Sequence, residues 1–175
     1  ENVAQTLLTV HPDPRLNHTA GMYDVRERMQ TELDTTIVQA TRAWNKLREA
    51  RKGIKLAKSL LVHADKTMKD SLNKQAKELV GIIDSLEEIM MEPADLKGIQ
   101  RNPTNLRAKL FQASSYIRQI QGPTSQMASV SLQQFQLGAT EFIDAVNTFI
   151  SEDLQAFRAQ LTDLEMPLFD ESIRE

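Results

Sequence analysis

Apolar residues recur at steps of three and four for about forty residues: Met22, Val25, Met29, Leu33, Ile37, Ala40, Trp44, Leu47, Ile54, Ala57 and Leu61. A strand would alternate every second residue, whereas a helix returns to the same face every 3.6. The pattern therefore predicts one long helix over about 22–61, with a seam close to the 3.5-residue period of bundle packing. A helix with so continuous a stripe must bury it against other helices, and this limits the chain to helix-on-helix folds. Only the slot at Ala50/Arg51 is weak. Gly53 inside the helix costs about 1 kcal/mol relative to Ala, but the seam continues in phase through Ile54. Thr19 or Asn17 is the expected cap.

Three further segments carry the same period. After a turn at Val62–Asp65, with Asp65 as cap, a helix over 66–91 carries Met68, Leu72, Ala76, Leu79, Ile83, Leu86 and Met90, and Pro93 ends it. Residues 92–104 form the longest connection. Thr104 is the expected cap of a helix over 105–121 with Leu106, Leu110, Ala113, Ile117 and Ile120. Gly122-Pro123-Thr124 is a stop-and-start signal. The last helix, 125–164, carries Leu132, Phe135, Ala139, Phe142, Val146, Phe149, Leu154, Phe157, Leu161 and Leu164, and Pro167 closes it. Few aromatic residues, with Gly and Pro confined mostly to segment edges, fit a long-helix protein.

Four amphipathic helices with mostly short connections predict an all-α, antiparallel up-down-up-down four-helix bundle over 17–175. Antiparallel pairing of the first and last helices sets Met22 against Leu164, Met29 against Phe157 and Trp44 against Phe142, with Gly138 leaving room for the indole. At 1.5 Å per residue the first helix is about 60 Å long and the second about 40 Å. Met22, Val25, Met29, Phe157, Leu161 and Leu164 then project past the second helix and form a candidate interface.

Ahead of the helices stands a different pattern. Thr6-Leu7-Leu8-Thr9-Val10 is apolar and β-branched, and His11-Pro12-Asp13-Pro14-Arg15 stops it. A single strand needs a neighbour for its N–H and C=O groups. Residues 1–16 therefore read as a leftover β-strand segment and linker at the end of a preceding β-domain, whose joint falls beside the candidate interface.

Residues able to do chemistry are few. The chain has no cysteine, which removes disulfides, thiol catalysis and Cys-type zinc sites. His11, His18 and His63 have no metal-ligand spacing, and the Glu-x-x-His pairs of a di-iron bundle are missing. Ser114, Ser115, Ser129 and Ser131 have no histidine partner, and no glycine-rich phosphate loop occurs. The pairs Glu87-Glu88 and Glu152-Asp153 are sequence neighbours, which do not face each other on a helix. No catalytic, cofactor-binding or metal residue is expected, and no cofactor. Asn17-His18-Thr19 fits a glycosylation acceptor but reads better as a helix entry.

A net charge of −3 gives no general attraction to nucleic acid, and the basic stretch lacks interleaved stacking aromatics. No apolar run approaches the ~20 residues that span a bilayer, so no membrane insertion is expected. Arg42, Lys46, Arg48, Arg51, Lys52, Lys55, Lys58, Lys66, Lys69 and Lys74 gather toward the first hairpin. Glu87, Glu88, Glu92, Glu152, Asp153, Asp163, Glu165, Asp170 and Glu171 gather elsewhere. The expected bundle thus has a basic pole at the hairpin and an acidic pole at the β joint, the charges serving mainly as a solvated surface.

Three phrases carry a resemblance: Leu8-Thr9-Val10-His11-Pro12-Asp13-Pro14-Arg15-Leu16 before a long helix, Ala43-Trp44-Asn45-Lys46-Leu47-Arg48-Glu49-Ala50-Arg51, and Gly122-Pro123-Thr124. Together they resemble the helical C-terminal region of bacterial exported proteins built on a BNR-repeat, sortilin-like β-propeller. The resemblance implies an extracytoplasmic location, periplasmic or secreted. It also implies a non-catalytic structural or interaction module, with the upstream β-domain of the same chain, and another protein, as partners. Such proteins are often labelled glycosyl hydrolases. This chain has no propeller blade or Asp-box repeat, so no catalytic residue carries over. The alternative expectation is a ligand- or partner-sensing four-helix bundle, as in receptor ectodomains.

Overall fold

The computed structural model describes residues 6–9, 11, 13–15, 19–61, 66–92, 105–119 and 124–162. Among them the only regular structure is helical. Helix α1 (Ala20–Leu60) runs 41 residues without a break. Its buried positions are Leu33, Thr36, Ala40, Ala43, Leu47, Ala50, Ile54, Ala57 and Leu61. These alternate in steps of three and four throughout, which is a heptad seam. Every second member is small: Thr36, Ala43, Ala50 and Ala57. The larger Ile37 and Trp44 stand half-buried at the seam's edge. Thr36 satisfies its hydroxyl locally by donating to the Glu32 carbonyl at 2.8 Å. Gly53 lies on the exposed side with open space around it, and α1 continues through it. Thr19 takes the cap position in an extended conformation; Asn17 is outside the described residues.

Helix α2 (Lys66–Met90) buries Leu72, Ala76, Leu79, Ile83 and Leu86, while Met68 is exposed. The turn Val62–Asp65 is outside the described residues. Helix α3 (Leu106–Ile117) is capped by Asn105 rather than by Thr104, which is outside the described residues. The buried Asn105 accepts from the Ala108 amide through Oδ1 at 2.7 Å, satisfying an orphan donor of the first turn. Helix α4 (Gln126–Phe149) is capped by Ser125, whose Oγ accepts from the Ala128 amide at 3.3 Å.

The neighbours of each helix give its direction. On α1, Arg51 bonds to Asp84 and Glu87, while Ile37, Ala40 and Thr41 lie beside Met90 and Met91; α1 and α2 are therefore antiparallel. Tyr23–Thr31 lies beside Ile117 and Arg118, and Ile37–Thr41 beside Leu106–Leu110, so α3 is also antiparallel to α1. Gln136 Nε2 donates to Glu32 Oε2 at 3.5 Å. Farther along, Gln39, Ala43 and Lys46 share a groove with Thr140, Ile143 and Asn147. Numbers rise together on these two helices, so α4 runs parallel to α1.

The molecule is thus a rod of three columns: α1 up, α2 then α3 down, and α4 with its continuation up. This replaces the expected up-down-up-down bundle. The physical reason lies in the middle column. At its length α2 covers only one part of α1, and α3 continues in the same direction to cover the other. Heptad seams mesh in either direction, so the apolar pattern alone does not select one. Met29 and Phe157, expected to pair, stand at opposite ends. Gly138 also serves a different neighbour: a Cβ there would meet Lys109 Nζ at 3.0 Å and Leu106 Cδ1 at 3.4 Å, so its bareness admits α3 rather than the Trp44 indole.

The third column contains a deliberate irregularity. On α4 the seam Ala128, Leu132, Phe135, Ala139, Phe142, Val146, Phe149 alternates steps of four and three. A further step of four would bury Asp153. Instead a π turn (Ile150–Leu154) inserts one residue before α5 (Gln155–Thr162). Ser151, Glu152 and Asp153 stay exposed, and Leu154 and Phe157 return to the core. The single helix expected over 125–164 is therefore α4, a π turn and α5, described to residue 162.

Candidate functional site

The six residues expected to form one interface do not come together. Met22 and Met29 are half-buried and Val25 exposed, all near the start of α1. Phe157 is buried and Leu161 half-buried near the end of α5; both pack into the core. Leu164 is outside the described residues. In the groove shared by Lys46 and Asn147, an α4 residue stands level with the α1 residue about 100 positions earlier. Phe157 is therefore level with the Leu56 region, some 30 residues above Val25, which is about 45 Å along the rod. The overhang expected near Phe157 is absent because α5 packs on α2.

The entry segment precedes α1 in the chain. Leu7 and Leu8 are 94% and 83% exposed, and residues 6–9 join no ladder among the described residues. The expected strand is thus an unpaired apolar segment here; Val10 and Pro12 are outside the described residues. Just after it, Asp13 and Arg15 close a clasp that sequence reasoning missed. The Asp13 carboxylate accepts from the Arg15 amide at 2.9 Å and from Nε and Nη2 of the guanidinium at 3.0 and 2.6 Å. These bonds hold the Asp13 carboxyl below the usual aspartate range and raise the Arg15 pKa. The Asp-x-Arg spacing around Pro14 was the available signal.

Charge is distributed differently from expectation. The basic end stands: Lys52, Lys55, Lys58, Lys66 and Lys74 are exposed around the end of α1 and the start of α2. The described members of the expected acidic pole do not gather at the start of α1. Glu87 pairs with Arg51 in mid-rod, and Glu152 and Asp153 sit on the π turn, about level with it. Asp163, Glu165, Asp170 and Glu171 are outside the described residues. Partial burial disfavours the Arg51 charge, but bonds to Asp84 at 2.6 Å and Glu87 at 3.0 Å outweigh it and raise the pKa.

His11 is exposed, and His18 and His63 are outside the described residues. Ser129 is exposed, Ser131 is buried in the α4 core face, and Ser115 donates to the Gln112 carbonyl. Among the described residues no group of three His, Asp or Glu side chains could hold a metal ion, and no helix is long and apolar enough to cross a membrane.

Sequence reasoning anticipated none of the grooves and cavities that the described residues line, two of which lie at helix ends. An open groove of about 460 Å³ at the entry end lies between the start of α1 (Tyr23, Arg26, Gln30) and the end of α3 (Ile117, Arg118). A smaller apolar cavity of about 120 Å³ lies where α2 stops and α3 begins. No family model, curated protein or solved structure matches the chain.

Proposed function

We propose that this chain is a non-catalytic helical module that extends as a rod from a larger β-rich protein and presents its surfaces for protein interaction. The observation that carries this reading is the exposure of Leu7 and Leu8 directly ahead of the Asp13–Arg15 clasp. Two adjacent leucines held in water are unfavourable by roughly 1.5–3 kcal/mol each relative to burial. A β-branched segment of this kind gains both cover and backbone partners by joining a sheet edge. The partner sheet in this reading is an upstream domain of the same protein, of the BNR-repeat, sortilin-like propeller type, and the location is extracytoplasmic.

Limited proteolysis of the full-length natural protein tests the reading. Residues 6–15 should resist cleavage there, yet be cut rapidly in the isolated 175-residue chain. Equal cleavage in both would refute it. A second reading, a ligand- or partner-sensing receptor module, draws on the 460 Å³ groove at the entry end, which is of ligand size. That reading requires a membrane-crossing helix in the natural full-length sequence, and a sequence without one removes it.

A further inference from the structure

We propose that the outer face of α1 is a self-complementary surface through which two copies of this chain pair antiparallel, about a two-fold axis at Val38. The buried seam of α1 is a strict heptad, so the opposite face of the helix keeps the same period. Its midline is Asp24, Thr31, Val38, Asn45 and Lys52, seven residues apart, and every one of them is exposed. Glu27 and Arg48 stand on one flank of this midline, three residues after a midline position. Arg28 and Glu49 stand on the other flank, four residues after one, and all four are exposed. The centre is a shallow depression lined by Thr31, Asp34, Thr35, Val38, Gln39 and Arg42, all of them on α1.

Turned end for end about Val38, this face meets itself with residue numbers that sum to about 76. Asp24 then faces Lys52, and Thr31 faces Asn45. In an antiparallel pair related by a two-fold axis, each flank meets its own counterpart, so Glu27 faces Arg48 and Arg28 faces Glu49. Symmetry makes each of these opposite-charge contacts twice, and no like charges fall opposite one another. A parallel pairing in the same register would instead set Asp24 against Asp24 and Lys52 against Lys52. Asp24, Glu27, Arg28, Arg48, Glu49 and Lys52 make no ion pair among the described residues, so each is available to a partner.

On the axis Val38, 48% exposed, meets its own copy and gains apolar cover. The contact runs from Asp24 to Lys52, about 42 Å of helix. A two-fold interface uses the same patch on both copies and closes, so assembly stops at the dimer. Ion pairs at exposed positions around one small apolar centre make that dimer weak and salt-sensitive. The pairing is independent of whatever domain precedes the rod.

Analytical ultracentrifugation of the full 175-residue chain tests the proposal. A reversible dimer should form at roughly 100 μM protein in about 50 mM salt and dissociate near 500 mM. Arg28→Glu places like charges at both contacts with Glu49 and should raise the dissociation constant about tenfold or more. Glu49→Arg should do the same, and the two substitutions together should restore the dimer. Both positions are exposed, so each variant should keep the Tm of the unsubstituted chain at the higher salt. Orientation is read by mild oxidation of single-cysteine variants. Val38→Cys should give a disulfide-linked dimer, whereas Asn45→Cys should not, because antiparallel copies hold that position about 21 Å from its counterpart. A chain that stays monomeric at about 1 mM in low salt, a dimer indifferent to the charge reversals, a double reversal that fails to restore pairing, or cross-linking through Asn45→Cys as readily as through Val38→Cys would overturn the proposal.

Discussion

The seams of α1 and α4 face each other along the rod and are built in opposite ways. On α1 the heptad never slips, and four of its nine slots hold Thr36, Ala43, Ala50 and Ala57. On α4 and α5 the seam is bulky, with Phe135, Phe142, Phe149 and Phe157, and it slips once, at the π turn. Small residues recur on one seam and aromatic rings on the other, a complementarity of size that suits helices packed side by side. The comparison also shows how each helix treats an error of phase. In α1 no irregularity separates Leu33 from Leu61, so all the burial depends on the count of residues. In the third column the backbone absorbs one extra residue, and Asp153 stays in water.

The sharpest way to break this comparison is to change that count by one residue in each helix. Deleting Lys52 rotates Ile54, Ala57 and Leu61 by about 100° out of the seam. Loss of their burial should destabilise the chain by on the order of 5 kcal/mol in chemical denaturation. Deleting Glu152 should instead convert the π turn to α-helix, keep Leu154 and Phe157 inward, and change stability by under about 1 kcal/mol. Equal losses from the two deletions would mean that the π turn is not a register device.

The knobs and holes separate next. Phe142→Ala removes a fully buried ring and should cost about 3–5 kcal/mol. Trp44→Ala, at the half-buried edge of the seam, should cost about 1–2 kcal/mol despite removing a larger side chain. A larger loss for Trp44 than for Phe142 would put the indole in the core. The smallest effect belongs to the charge pairs. Arg51→Ala should lose under about 1 kcal/mol, because the guanidinium is one-third exposed and Asp84 more than half.

These contrasts explain what the amino-acid pattern disclosed. The stripes of α2 and α4 were legible, Met68 apart, because Leu72, Leu79, Phe142 and Phe149 are large and spaced at helical period. The true seam of α1 was less legible. Thr36, Ala43 and Ala50 carry little hydrophobic signal, so the neighbouring Ile37 and Trp44 drew attention instead. The π turn did leave a trace, the five-residue step from Phe149 to Leu154. Helix direction left none, since a seam buries equally well against parallel or antiparallel neighbours, and the 92–104 connection reads as a reversal of the chain. The clasp at Asp13 and Arg15 depends on backbone geometry around Pro14, which residue spacing suggests only weakly.

The central claim is that α1 and α4–α5 run parallel, and spin-label distances test it directly. The chain has no cysteine, so pairs of introduced cysteines label cleanly. Arg28, Ser59 and Gln160 are exposed. Labels at Ser59→Cys and Gln160→Cys should lie about 20–30 Å apart, allowing for the label arms, because both sites stand at the same end of the rod. Labels at Arg28→Cys and Gln160→Cys should lie about 45–50 Å apart, the rise of some 31 helical residues. A short distance for the second pair and a long one for the first would contradict the three-column arrangement and restore an antiparallel bundle.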